Sequence, residues 1–204
     1  MKKIVSVLVF LLFILLVFPL NVSAGDEENP EIEDEAENDV VDYLNILSAW
    51  FYEEADQPDY LFICMKVIEI NDKPSKQHLT VKWEYNGIKC SAGLAIGYGE
   101  PCFLYQAGWG HGFWFQEHYQ EIEGFVNLET GVITFKIPKV LIKNPQKGDV
   151  LTKTYAMTFK RFGFIGRIGF DRAVLRSLIE ILIKQNLSDF GPNEGYGKDY
   201  IIQY

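Results

Sequence analysis

Residues Glu123–Leu151, EGFVNLETGVITFKIPKVLIKNPQKGDVL, decide the fold class. The stretch starts extended, reverses through Asn127-Leu128-Glu129-Thr130-Gly131 and returns as Val132–Ile137. Ile133, Phe135 and Ile137 fall on one face of the returning strand; Val132, Thr134 and Lys136 fall on the other. That is the period-two pattern of a strand with one buried face. Gly131 supplies the positive φ that such a hairpin loop needs. Pro138 has no N–H for a ladder and ends the strand. Asn144-Pro145 and Lys147-Gly148-Asp149 then mark turns before a new strand at Val150. This is antiparallel β architecture, and it locates no chemistry.

Working outward, the same grammar repeats. Tyr43–Glu53 reads as a first strand, and Tyr60–Ile70 as a central one, because it is apolar on both faces. His78–Tyr85 alternates Leu79, Val81, Trp83 and Tyr85 against polar neighbours, which makes Trp83 core. Asn86-Gly87 is a two-residue hairpin signal. The partner strand carries Ile88, Cys90, Ala92, Leu94 and Ile96 on one face. Its other face holds only Ser91, Gly93, Ala95 and Gly97, a strip that admits close approach. A short strand covers Cys102–Gln106, and after Val150 the residues Leu151, Tyr155, Met157 and Phe159 alternate with Thr152, Thr154 and Thr158. Asp171 caps a helix over about 171–185, and Lys198–Tyr204 is a terminal strand. The expectation is a mainly β, two-sheet antiparallel sandwich of eight or nine strands, with one helix inserted before the last strand.

The N-terminus reads as an export signal over residues 1–24. Lys2 and Lys3 precede an apolar run at 4–20, and Val22-Ser23-Ala24 offers a cleavage site. An uncleaved membrane anchor over 4–20 is the alternative. The expected location is secreted or cell-surface. Residues 25–42 hold ten acidic side chains and no Lys or Arg, and read as a disordered leader ahead of a domain at 43–204. Binding of Ca²⁺ or of a cationic surface is the sharper reading of that run. With those ten and the two signal lysines set aside, the chain's net charge of −9 reduces to 17 basic against 18 acidic residues. A body so balanced excludes general nucleic-acid binding.

Cys64, Cys90 and Cys102 have no CxxC spacing, which removes zinc-ribbon and thioredoxin-like readings. Cys64 and Cys90 fit buried free thiols; a bridge, if formed, joins Cys90 to Cys102 across neighbouring strands. No GxSxG, HExxH, P-loop or dinucleotide fingerprint occurs, so the chain reads as non-catalytic and without a cofactor. His111 and His118 are seven residues apart, and that odd spacing sends them to opposite faces of a regular strand, away from a shared metal.

The binding candidate is the stretch 108–119, GWGHGFWFQEHY. Trp109, Phe113, Trp114, Phe115 and Tyr119 offer flat rings for a sugar, and Gln106, His111, Gln116, Glu117 and His118 offer orienting hydrogen bonds. Packing of these rings into the core is the competing reading. Residues 160–184 hold six basic and two acidic side chains around an apolar helix; that segment, from about 162, can close one end of the sandwich or dock on a membrane or protein partner. Asn186-Leu187-Ser188 is a glycosylation sequon and marks a surface position for Asn186.

The segments AWFYEEADQPDYLFICMKV, VKWEYNG, GFVNLETGVITFKIPK, NPQKGDVL and GKDYIIQY together resemble the DOMON-like and family-9-type carbohydrate-binding-module group of extracellular β-sandwiches. They especially resemble uncharacterised secreted archaeal proteins of that kind. The resemblance covers about 42–161 and the last seven residues; 163–197 departs from it as an insertion. It implies a sandwich that recognises an extracellular ligand, carbohydrate first, with Trp109 and Trp114 placed to stack on a sugar. A cell-envelope or protein-interaction module using the helix is the runner-up. The resemblance to DOMON domains also implies a third reading, a haem-binding redox module, for which Met65, Met157, His111 and His118 are the available ligands.

Overall fold

The computed structural model describes residues 25–36, 41–70, 76–97, 99–108, 119–160 and 188–204. The export segment at 1–24, the helix at about 171–185 and Asn186 lie outside the described residues. Among those described, the chain is mainly β and forms two antiparallel sheets. The first runs β1 (Ile32–Glu33), β2 (Ile46–Tyr52), β3 (Tyr60–Val67), β9 (Val132–Pro138) and β8 (Glu123–Asn127), in that spatial order. The second runs β11 (Ser188–Gly191), β10 (Val150–Lys160), β4 (Gln77–Tyr85), β5 (Ile88–Ile96), β6 (Cys102–Ala107) and β7 (Gln120–Glu121), with β12 (Tyr200–Ile201) pairing to β10. The expected eight or nine strands become twelve among the described residues: the two-residue pairings β1 and β7 are too short for periodicity to register, β11 falls in the stretch read as an insertion, and the expected terminal strand is β12.

The local rules hold where they were strongest. Ile133, Phe135 and Ile137 are fully buried, while Val132, Thr134 and Lys136 are not. Gly131 has φ +71°, and a Cβ there would strike the Val67 carbonyl oxygen at 2.3 Å. Asn86 and Gly87 both have positive φ, as a tight two-residue hairpin requires. β3 is central, flanked by β2 and β9. The inward residues of both sheets join one hydrophobic cluster in a sandwich-like arrangement. Phe51 of the first sheet meets Trp83 of the second edge-on at 5.8 Å, and Phe103 meets Phe135 at 5.9 Å. Trp83 is 2% exposed, as its alternation requires.

Two expectations are corrected. The acidic leader is not a free tether over 25–36. Ile32 pairs with Ala49, is 0% exposed and belongs to the core cluster. Glu31 Oε2 accepts the Phe51 N–H at 2.9 Å, Lys198 N donates to the Glu31 carbonyl at 2.7 Å, and Glu27 and Glu33 pair with Lys66 and Lys198. A composition argument averages over the run, but one isoleucine and an open β2 edge suffice to fix it. The second correction concerns the bridge. Cys90 lies opposite Ala107 and Cys102 opposite Ala95, five residues apart along the ladder. That is roughly 16 Å at about 3.3 Å per residue, well past bridging distance. All three cysteines are free, and burial pushes the Cys64 thiol up to about 11.

Glu31 makes leader docking pH-dependent. Burial pushes its carboxyl up to about 7 from 4.5, outweighing the Phe51 N–H and the Lys198 charge that oppose the shift. The folded state therefore holds a proton that the unfolded state has released between pH 4.5 and 7, and stability falls as pH rises through that window. Glu31→Gln should abolish this slope, which is worth roughly 2–3 kcal/mol in the parent. Urea unfolding at pH 5 and pH 7 measures it; equal slopes in parent and variant would show that Glu31 titrates as an exposed carboxylate.

Candidate functional site

The outer face of the second sheet carries a groove where β4, β5 and β10 meet, and it starts from an irregularity. β10 pairs Thr152 with Glu84 and then skips to Tyr155 with Lys82. Lys153 takes up the extra residue with φ +52°. Such a bulge reverses the inside-outside phase of the strand. Leu151 is therefore inward, and so are Thr154, Ala156 and Thr158, all fully buried, while Tyr155, Met157 and Phe159 turn outward. The simple alternation from Leu151 to Tyr155 breaks at that point.

The bulge delivers Lys153 Nζ to Glu84 Oε2 at 2.9 Å. Lys82, opposite Tyr155, sets its Nζ 5.5 Å from the centre of that ring. Tyr196, from the loop before β12, sets its ring 6.1 Å from Tyr155 at 57°. Lys89, opposite Glu84 across the Asn86-Gly87 hairpin, closes the end. Together these side chains, with Trp83 and Cys90 beneath, line a cavity of about 130 Å³.

The electrostatics of the groove are uneven. Lys82 is 4% exposed, and burial, with Lys89 adding like charge, brings its ammonium down to about 7. Burial and the Tyr196 phenol push Tyr155 up to about 12, so it stays a neutral hydrogen-bonding phenol at ordinary pH. The groove thus presents two rings at an angle, three amines and one carboxylate already engaged by Lys153. Such a set can hold a small polar ligand by ring contact and charge-assisted hydrogen bonds. Among the described residues, no group of three or more His, Cys, Asp or Glu side chains converges to hold a metal.

Of the binding residues chosen from sequence, only Gln106 and Tyr119 are among the described residues, and neither lines this groove. Trp109, His111, Trp114, Gln116 and His118 lie outside the described residues. Tyr119 is half-buried and precedes β7, at the far side of the same sheet. Gln106 is buried, opposite Ser91 on the outer face. The small-residue strip of β5 faces the same way, and a Cβ on Gly93 would come within 3.0 Å of Thr80 Oγ1. Of the sulfurs considered for haem, Met65 is sealed in the core and Met157 lies on the outer face of the other sheet, so the two share no site. Tyr155 and Tyr196 are 41 residues apart, and no spacing rule links them. The threonine-lysine run Thr152-Lys153-Thr154 was the one local sign of an interrupted strand.

Comparison of the chain with protein-family models, curated proteins and solved structures found no match.

Proposed function

We propose that this protein is an exported, non-catalytic β-sandwich that recognises an extracellular ligand, a carbohydrate first, and that the groove between β4, β5 and β10 takes part in binding. The observation that carries the reading is the tilted Tyr155–Tyr196 ring pair set beside Lys82, Lys89, Lys153 and Glu84. Sugar rings present apolar C–H faces and polar edges at once, and an aromatic pair with adjacent charged donors matches both. Export rests on the N-terminal sequence, and the carbohydrate class also rests on the resemblance and on the aromatic stretch at 108–119.

A glycan screen read by intrinsic fluorescence tests the proposal. Tyr196 is 58% exposed, so Tyr196→Ala should leave stability within about 1 kcal/mol of the parent while weakening binding roughly tenfold. If Trp109→Ala removes binding and Tyr196→Ala leaves it intact, the ligand sits on the 108–119 stretch and not in the groove. If no glycan binds the parent, the carbohydrate reading falls and an interaction module using the 162–184 segment replaces it.

A further inference from the structure

We infer that the export signal is cut between Ala24 and Gly25, and that the α-ammonium exposed on Gly25 pairs with the buried carboxylate of Glu31. The inference rests on the export reading above and adds what becomes of the new chain end. Hydrolysis of that peptide bond by a membrane signal peptidase consumes one water, leaving a carboxylate on Ala24 and the ammonium on Gly25. In sequence, Val22-Ser23-Ala24 places the cut directly ahead of Gly25. In the fold, Gly25 already lies beside Glu31. Asp26 Oδ1 accepts the N–H groups of Glu28 and Asn29, at 2.9 and 2.7 Å, in a turn that folds Gly25 back. Gly25 is buried, and a Cβ on it would come within 2.5 Å of the Glu31 carboxyl carbon. A Cβ sits about 2.5 Å from its own nitrogen, so Gly25 N lies no more than roughly 5 Å from that carbon. Rotation about the Gly25 Cα–C bond brings a freed ammonium into contact.

The surroundings of Glu31 suit such a partner. Glu31 is 7% exposed, and β2 offers it the Phe51 N–H but no charge. The charged and titratable groups that act on it are Asp26 on its own segment, Lys198 ahead of β12 and Tyr200 in β12. Lys198 Nζ is turned to Glu33 at 2.9 Å, and Tyr200 Oη to Glu53 at 3.1 Å. In the uncut chain Gly25 brings an uncharged amide to this spot, and burial holds the carboxyl up at about 7. An ammonium there favours the charged carboxylate, and the carboxylate in turn holds the ammonium's proton. The window of pH dependence therefore moves. The uncut chain loses stability between pH 4.5 and 7, whereas the cut chain no longer does so. It loses stability above about pH 8 instead, where the unfolded α-amine releases its proton before the folded one.

Expression of the full chain in a secreting host, with mass spectrometry of the exported protein, identifies the first residue, which should be Gly25. The α-amine of that protein is then titrated by trace acylation across the alkaline range, folded and in urea. The midpoint of the folded profile should lie about one pH unit or more above the unfolded one. Burial without a partner gives the opposite sign, because it disfavours the charged amine. Glu31→Gln should bring the midpoint down to the unfolded value or below it. Should that variant fail to fold, one glycine inserted between Ala24 and Gly25 carries the ammonium about 3.8 Å further along the chain. The upward shift should then disappear. A first residue other than Gly25 would overturn the pairing and leave export standing. So would a midpoint at or below the unfolded one, or an upward shift that survives Glu31→Gln. A chain that is not exported, or that stays uncut in the membrane, would overturn both.

Discussion

Removing Gly25–Glu35 should lower the thermal midpoint by about 10 °C, measured at pH 5 to 6 where Glu31 holds its proton. The deletion takes Ile32 out of the core, and burial of an isoleucine alone is worth about 2–5 kcal/mol. It also strips β2 of its edge partner, the Glu31 acceptor for Phe51 N–H and the Lys66 and Lys198 ion pairs. In a chain of this size each kcal/mol moves the midpoint by about 2–4 °C. Ile32→Ala isolates the burial contribution and should account for half or more of the loss. A deletion variant that melts within about 2 °C of the parent would return the segment to the status of a tether.

Lys139→Met should cost about 3–5 kcal/mol, because it leaves a buried carboxylate without its cation. Glu53 and Lys139 form an ion pair with side-chain exposures of 0% and 6%. The same two side chains hold the end of the chain: Glu53 Oε2 accepts from Tyr200 Oη at 3.1 Å and from Gln203 N at 2.5 Å, and Lys139 Nζ donates to the Tyr204 carbonyl at 2.6 Å. Glu53 follows β2 and Lys139 follows β9, both in the first sheet, while Tyr200 begins β12 on the second. The network therefore staples the two sheets at one end, beside the stacked rings of Phe51 and Tyr200. Lys139→Met combined with Glu53→Gln should recover much of the loss, since no uncompensated charge then remains. Urea unfolding of the two single variants and the double variant measures the coupling. A single-variant loss below about 1 kcal/mol would mean that water reaches Glu53 and replaces the lysine.

Much of the fold was legible from local rules. The hairpin at Asn86-Gly87, the turn at Gly131, the stop at Pro138 and the restart at Val150 each depend on the φ or N–H of one residue, and each stands where the sequence places it. The inward positions of β4, β5 and β9 follow from strict alternation. Reading failed where a partner distant in sequence decides. Ile32 becomes a strand only because β2 offers an edge, and its acidic neighbours find Lys66 and Lys198 from 39 and 165 residues away. Composition contains no such information.

The groove shows the same division. Sequence by itself determined antiparallel β structure, the core face of most strands and the identity of Trp83 as a buried side chain. Only the tertiary structure decided that Lys153 would bulge, that Tyr155 would consequently turn outward, and that Tyr196 would arrive beside it. A strand's period is a property of consecutive residues, so the sequence carries it. A bulge depends on the register against β4, and a site lined by β4, β5, β10 and a loop depends on which strands become neighbours. Those are long-range pairings, set by the closing of a common core and not by any stretch of chain read alone.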